Sequence, residues 1–261
     1  MNRVMWLLIL IPLFVYLGLG LLAWLLADRL IFQPQPALYR DDRSVIKIAT
    51  PSGEKISAKF FPAPDAEYTI LFSHGNAEDI GGAGPFFEEL RRQGFNVLAY
   101  DYRGYGTSDG APSEKNAYED AAAAYDYLVD QLKIPPAKII VFGRSLGGAV
   151  AIDLAARKPC AGLIAESTFL SAFRVLTRYR VFPFDEFDNL GKLPSVNCPA
   201  LFIHGKKDEV IPFRHGEKLF EAARAPKYSR WFDEAGHNDV ALTGGKDYFQ
   251  TIRDFVAQLP R

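Results

Sequence analysis

Cysteine is scarce in this chain of 261 residues, which holds only two, so a framework of several disulfides is excluded as the basis of the fold. The two cysteines and four histidines do not form the spaced ligand pairs of a zinc site, and we expect no metal. An excess of positive charge is missing too, since 30 lysines and arginines against 31 acidic residues give a net charge of −1. No broad basic surface is therefore available for nucleic acid, which we exclude as a partner.

Charge is absent altogether from residues 4–27, which read "VMWLLILIPLFVYLGLGLLAWLLA". As a helix this stretch would reach about 36 Å, enough to cross a hydrocarbon core of about 30 Å. A cleaved signal peptide usually has a shorter apolar region of about 7–15 residues, so we predict a retained single-pass membrane anchor in residues 1–30. It should form one continuous helix with few contacts to the domain that follows. The flanking charges leave open which side of the membrane carries that domain.

After a proline-containing linker in residues 31–43, residues 44–261 alternate short apolar runs with helical patterns. Such alternation predicts one α/β domain with a mostly parallel central sheet and helices on both faces. The runs "VIKIAT" and "KISAKFFP" alternate apolar and polar residues and predict an antiparallel start. Ligands of parallel sheets bind at the carboxyl ends of strands, where the candidate site residues are found.

The segment "VFGRSLGG" places Ser145 at the end of an apolar strand, with Gly143 and Gly147 on either side. A sharp strand-to-helix turn brings backbone segments so close that only glycine fits beside the central residue, whose side chain is then exposed. The pattern predicts a nucleophilic serine on a nucleophile elbow. The backbone N–H of Leu146, at the start of the next helix, is a candidate oxyanion-hole donor.

A serine nucleophile needs a base, and the base needs an acid that orients it. His237 follows the last strand in "DEAGHND", and the base comes last in the chain order of such hydrolases. Asp208 in "IHGKKDEVIP" lies between serine and histidine and is the predicted acid, with Glu166, one strand earlier, as its rival. For the second oxyanion donor, "SHGNAED" offers the backbone N–H of Asn76.

Five segments carry a family resemblance: "SHGNAED", "DYRGYGTS", "FGRSLGG", "FDNLGKLPSVNCPALFIHGKKDEVIP" and "AGHND". Together they resemble the α/β-hydrolases. More closely, over about residues 30–258, the chain resembles membrane-anchored α/β-hydrolase-domain proteins that include lysophospholipid hydrolases and protein depalmitoylases. The resemblance implies the α/β-hydrolase fold behind an N-terminal transmembrane helix. It places nucleophile, acid and base on Ser145, Asp208 and His237, in agreement with the reading from the residues alone. The cysteine-rich N-terminus of the eukaryotic depalmitoylases is missing, and the anchor takes its place.

The predicted function is a serine hydrolase that cleaves ester or thioester bonds of small-molecule or lipid-like acyl substrates near a membrane. This chemistry requires no metal or organic cofactor. Two alternatives stay open: a serine peptidase or amidase of prolyl-oligopeptidase type, which usually needs a gating domain for which the chain has no length, and a non-catalytic scaffold on a hydrolase fold. An insertion at about residues 168–197 is either a lid over an acyl pocket or a cover for the sheet. The physiological substrate and the oligomeric state stay open as well.

The two cysteines precede two neighbouring strands by the same offset, since Cys160 lies six residues before Glu166 and Cys198 six before His204. Equal offsets should bring them side by side, about 5 Å apart by ordinary strand spacing. Side chains of neighbouring parallel strands point the same way, which disfavours a good disulfide torsion. We therefore favour two reduced, buried cysteines over a disulfide.

Overall fold

The computed structural model describes residues 3–177, 179–224 and 226–260. Within them the chain forms eight strands: β1 (Ile46–Ala49), β2 (Lys55–Phe61), β3 (Thr69–Ser73), β4 (Asn96–Tyr100), β5 (Ile139–Arg144), β6 (Gly162–Glu166), β7 (Ala200–Gly205) and β8 (Lys227–Phe232). The α-helices are α1 (Arg3–Ile31), α2 (Gly84–Arg92), α3 (Glu114–Asp126), α4 (Leu146–Arg157), α5 (Ala172–Thr177), α6 (Asn189–Lys192), α7 (Arg214–Ala222) and α8 (Val240–Val256). Short π- or 3₁₀-helical turns cover Tyr127–Gln131, Pro136–Lys138 and Leu193–Ser195.

The strands form one sheet in the order β1-β2-β4-β3-β5-β6-β7-β8. β1 pairs with β2 and β2 with β4 in antiparallel fashion, and every other pairing is parallel. The predicted mostly parallel sheet is therefore confirmed, together with its antiparallel start. Parallel strands need crossover connections, and these place α3 and α4 on one face of the sheet and α2 and α8 on the other.

The two faces carry separate apolar layers, because neighbouring residues of a strand point to opposite faces of the sheet. Leu71 and Val141 belong to the layer beneath α3 and α4, whereas Ile70 and Phe142 belong to the layer beneath α2 and α8. Since both faces are buried, the central strands consist of continuous apolar runs. The carboxyl ends of these strands meet at one edge, where the candidate site lies.

α1 is a long apolar helix at the N-terminal end of the chain. It covers 29 residues, or about 43 Å at the usual rise. Its segment Leu8–Ile31 has a mean hydropathy of 2.4 and is long and apolar enough to cross a membrane, with 6% of the window buried. This helix is a candidate membrane anchor, and it extends one residue beyond the predicted end at residue 30.

The contacts of α1 with the domain include the tip of the insertion, a short loop after α5. The Tyr16 hydroxyl donates a hydrogen bond to the Val181 carbonyl oxygen at 2.9 Å, and the Tyr16 and Phe182 rings lie 5.5 Å apart. On the same loop Tyr179 is 73% exposed, and Leu176 at the end of α5 is 91% exposed. The insertion and the anchor helix therefore share one apolar surface. Within the described residues, no hydrogen bond or ring contact joins this tip to Ser145.

Cys160 and Cys198 lie just before β6 and β7. The register pairs Glu166 with Ile203 rather than with His204, so the expected equal offsets are wrong by one residue. The two sulfur atoms are nevertheless 3.3 Å apart, and both cysteines are free and only partly buried, not fully buried as expected. The contact with Cys198 and burial raise the pKa of the Cys160 thiol. The same contact lowers the pKa of the Cys198 thiol, because the Cys160 thiol donates a hydrogen bond to its sulfur.

We expect two free thiols when the denatured, unreduced protein is titrated with a thiol reagent. The reason is geometric, because side chains of neighbouring parallel strands point the same way, which disfavours a good disulfide torsion. A sample reduced before denaturation serves as the control and should give the same count. A result of no free thiols in the unreduced sample would contradict the expectation and would place the domain in an oxidising compartment.

Candidate active site

Ser145 occupies a sharp turn between β5 and α4. Its backbone has φ +54° and ψ −117°, a conformation that L-residues rarely adopt. A Cβ atom at Gly143 would lie 1.9 Å from the Gly147 carbonyl oxygen, and one at Gly147 would lie 2.0 Å from the Ser73 carbonyl oxygen. No side chain fits at either position, so the two glycines allow the close approach that the turn requires.

His237 lies in the loop after β8 and contacts both of the other predicted triad residues. Its Nε2 atom is 3.0 Å from the Ser145 hydroxyl oxygen, and its Nδ1 atom is 2.8 Å from the Asp208 Oδ2 atom. The three side chains come from the carboxyl ends of β5, β7 and β8. With Nδ1–H donating to the carboxylate, Nε2 is left as an acceptor for the serine proton. This is the geometry of a nucleophile, a base and an orienting acid.

The Asp208 carboxylate is held by four neighbours. Its Oδ1 atom accepts hydrogen bonds from the Val210 and Ile211 amides at 2.9 and 2.7 Å. Its Oδ2 atom lies near His237 and also 3.1 Å from the His204 Nε2 atom. Burial works to raise the pKa of Asp208, but the hydrogen bonds from His204 and His237 hold it well below its usual range. The acid therefore stays ionised at neutral pH.

The contact of His204 with Asp208 was not predicted from the sequence. His204 precedes Gly205 at the end of β7 and lies four residues before Asp208. Its Nε2 atom is also 2.9 Å from the Ile211 carbonyl oxygen. The ring thus packs against the turn that carries the acid. The spacing of four residues between His204 and Asp208 was the feature of the sequence that could have predicted this contact.

Glu166, the rival acid, is engaged elsewhere. Its carboxylate accepts hydrogen bonds from the Arg144 Nε atom at 2.9 Å and from the Tyr248 hydroxyl. Its backbone carbonyl accepts a hydrogen bond from the Ser145 amide at 2.8 Å. The structure therefore places Glu166 beneath the serine turn, and no hydrogen bond within the described residues joins it to His237.

The two predicted oxyanion donors flank Ser145. Leu146 is the first residue of α4, so its N–H has no partner within the helix. Asn76 follows the turn at Gly75, where a Cβ atom would lie 3.6 Å from the Ser145 Cβ atom. No hydrogen bond within the described part of the chain engages the Asn76 amide. Both N–H groups are therefore free to meet a negative charge that develops beside Ser145.

The two remaining histidines, His74 and His215, are buried and contact backbone groups. The His74 Nδ1 atom lies 2.7 Å from the Gly75 carbonyl oxygen. The His215 Nδ1 atom accepts a hydrogen bond from the Leu170 amide at 3.2 Å, and burial lowers the pKa of His215 to about 4. In the part of the chain that the structure describes, no group of three or more His, Cys, Asp or Glu residues is arranged to hold a metal ion.

A strained serine turn at the end of a central strand, with an acid and a histidine following later strands, defines an α/β-hydrolase. The chain belongs to the family of α/β-hydrolase domain-containing proteins 17 within that superfamily. It is 43% identical over 213 residues to protein 17B of this name from Xenopus laevis, covering 80% of this chain and 73% of that protein. The human protein 17B is 42% identical over the same length, with the same coverage.

Other comparisons agree on the superfamily. The sequence model of a family described as "Serine aminopeptidase, S33" matches residues 64–180. An esterase of Pyrococcus furiosus has a similar fold, with a TM-score of 0.72, 21% identity, and coverage of 87% of this chain and 99% of that one. The esterase domain of a Rhodothermus marinus protein has a TM-score of 0.63 at 22% identity, covering 81% and 98%. The chain is an enzyme of the serine hydrolase type.

Proposed function

We propose that this enzyme hydrolyses carboxylic esters or thioesters of acyl or lipid-like substrates at a membrane, through an acyl-enzyme on Ser145. One observation carries the proposal, namely the two hydrogen bonds that link Asp208, His237 and Ser145 at 2.8 and 3.0 Å. A nucleophile and a base in hydrogen-bond contact, with the base held by a third group, are what acyl transfer to serine requires.

In the proposed mechanism Ser145 attacks the substrate carbonyl while the His237 Nε2 atom takes the hydroxyl proton. The Asp208 carboxylate holds the Nδ1–H and stabilises the imidazolium that forms. The amides of Asn76 and Leu146 donate to the oxyanion of the tetrahedral intermediate. His237 then protonates the leaving alcohol or thiol, and a water molecule repeats the cycle on the acyl-enzyme. The residues present suffice for each of these steps.

The membrane part of the proposal is supported by α1 and the insertion. We assign residues 1–30 to a single-pass anchor, 31–43 to a linker and 44–261 to the hydrolase domain, with the insertion at about 168–197. The apolar anchor surface continues into the insertion through Tyr16 and Phe182, and Leu176 and Tyr179 stay exposed beside it. Exposed apolar surface of this kind is typical of a membrane-facing region, which would meet lipid-like esters.

A peptidase or amidase is the second candidate, because the matching family model is described as a serine aminopeptidase. The same triad cleaves esters, thioesters and amides. Ester and thioester bonds are favoured here by the esterase folds among the solved structures and by the resemblance to lysophospholipid hydrolases and protein depalmitoylases. The hydrogen bonds among Ser145, His237 and Asp208 favour an active enzyme over a scaffold without activity.

The full-length protein in detergent can be tested with p-nitrophenyl esters of increasing chain length, acyl-CoA thioesters, lysophospholipids and aminoacyl p-nitroanilides. We expect kcat/KM for the best ester or thioester to exceed that for any anilide by at least about tenfold. A fluorophosphonate probe should label the protein once, at Ser145. Faster turnover of the anilides would indicate a peptidase. Absence of both labelling and turnover would indicate the scaffold.

A further inference from the structure

We propose that the junction between the anchor helix and the domain holds the oxyanion hole in place, with the Asn76 side chain as the positioning group. The inference rests on the proposed function, since it concerns the same site. The junction is the backbone of Ile31 to Gln33, at and just after the end of α1. It therefore connects the candidate membrane anchor directly to the residue whose backbone N–H is the proposed oxyanion donor.

Four hydrogen bonds hold the Asn76 carboxamide, one of them local, from the Ala77 amide to its Oδ1 atom at 3.1 Å. Its Nδ2 atom donates to the Ile31 carbonyl oxygen at 2.6 Å. Its Oδ1 atom accepts from the Gln33 amide at 2.9 Å and from the Tyr105 hydroxyl at 2.6 Å. The oxygen therefore accepts three hydrogen bonds, and the NH₂ group donates one. Two of the four partners are backbone groups of the junction, so the position of the side chain depends on the position of that backbone.

The junction itself is packed and hydrogen-bonded against the domain. Phe32 is buried between the rings of Tyr105 and Phe187, with ring-centre distances of 6.4 and 5.8 Å. The Tyr105 hydroxyl also lies 3.1 Å from the Gln33 amide, which can donate to it as well as to Asn76. A shift of the anchor helix would have to move the Phe32 ring or break these bonds. The position of Asn76 is therefore tied to that of the helix.

The oxyanion turn needs this external support. The Asn76 amide has no hydrogen bond in the described residues, and the next residue, Ala77, has φ +58°. A non-glycine residue in that region is strained and persists only where surrounding contacts hold it. An oxyanion donor must also be aimed at the charge before the charge develops. The side-chain hydrogen bonds of Asn76 fix the position of this residue and so the direction of its backbone N–H.

The sharpest test replaces Tyr105 by Phe in the full-length protein, because this removes one bond to Asn76 and keeps the ring that packs on Phe32. With a short soluble p-nitrophenyl ester, we expect kcat to fall about 3- to 10-fold with KM unchanged, since oxyanion contacts strengthen only in the transition state. Asn76→Ala removes all four side-chain bonds, and kcat should fall about 10- to 100-fold, which does not exceed the effect of deleting a whole oxyanion donor.

The matched control is Tyr125→Phe, which removes a hydroxyl that donates to the Pro159 carbonyl oxygen away from the site. Its kcat and KM should equal those of the wild-type protein. A second readout is affinity for a boronic-acid transition-state analogue, which should weaken in Tyr105→Phe by the same factor as kcat. A merely structural role would lower the melting temperature without this parallel loss.

Two outcomes separate the inference from the proposed function. If the wild-type protein hydrolyses the ester and both Tyr105→Phe and Asn76→Ala keep its kcat, the positioning role is overturned while the hydrolase function stands. If the wild-type protein hydrolyses no ester or thioester, the proposed function fails and the inference fails with it.

Discussion

Replacement of Ser145 by Ala is expected to lower kcat for ester hydrolysis by about 10⁴- to 10⁶-fold, leaving about 10³-fold or less over the uncatalysed reaction. The alanine removes the hydroxyl oxygen that lies 3.0 Å from the His237 Nε2 atom, and it does not alter Gly143 and Gly147, which allow the turn. The measurement is the turnover of a p-nitrophenyl ester by the full-length variant, with the melting temperature recorded in parallel. Retention of more than about one percent of wild-type activity would disprove the assignment.

Ser167→Ala is the matched control for this variant. Ser167 follows β6 at the same edge of the sheet, is buried, and has φ +46°. Within the described residues its hydroxyl has no hydrogen-bond partner. The same chemical change at this neighbouring strand end should therefore leave kcat close to the wild-type value. Equal loss in both variants would point to a general effect on the edge of the sheet.

Replacement of Asp208 by Asn should lower kcat by about 10³- to 10⁴-fold, the loss expected when a triad histidine is held in the wrong tautomer. The Asp208 Oδ1 atom accepts hydrogen bonds from the Val210 and Ile211 amides, so the side-chain oxygen of an asparagine would take this position. Its NH₂ group would then face the His237 Nδ1 atom and donate to it. The ring proton would move to Nε2, and the ring could no longer accept the proton of Ser145.

Glu166→Gln tests whether Glu166, rather than Asp208, is the acid of the triad. It removes the same negative charge from the preceding strand of the chain. Its carboxylate supports Arg144 and Tyr248 beneath the serine turn, so we expect a lower melting temperature and a kcat within about tenfold of wild type. Kinetics of the two variants side by side decide between the acids. If Glu166→Gln abolishes turnover and Asp208→Asn retains it, the orienting role belongs to Glu166.

Much of the fold could be predicted because it follows from local patterns. Continuous apolar runs indicated the buried parallel strands, and Ser113 before a helical pattern marked the start of α3, where its hydroxyl accepts the Asn116 amide. α2 was not predicted, since its first residues lie in a glycine-rich segment. The start of α8 at Val240 is hard to predict from the sequence, because the helix is interrupted at Gly245, where φ is +50°.

In the candidate site, too, local features could be predicted from the sequence and long-range contacts could not. Gly143 and Gly147 could be predicted to be essential because the steric demand of the serine turn is local in sequence. The contact of Asn76 with Ile31, 45 residues away, could not, because it depends on where the end of α1 settles on the folded domain. Polar contacts across that separation leave no periodic pattern. The sequence therefore predicts the reacting groups better than the groups that hold them.

The backbone of Ser145 also bears on how this enzyme would respond to laboratory evolution. Glycine adopts φ +54° and ψ −117° without the penalty of about 1–3 kcal/mol that an L-residue incurs in such a region. Libraries screened for heat resistance alone would therefore enrich Ser145→Gly, and each enriched clone would lack its nucleophile. A search for thermostable forms of this protein has to select for turnover and for melting temperature together.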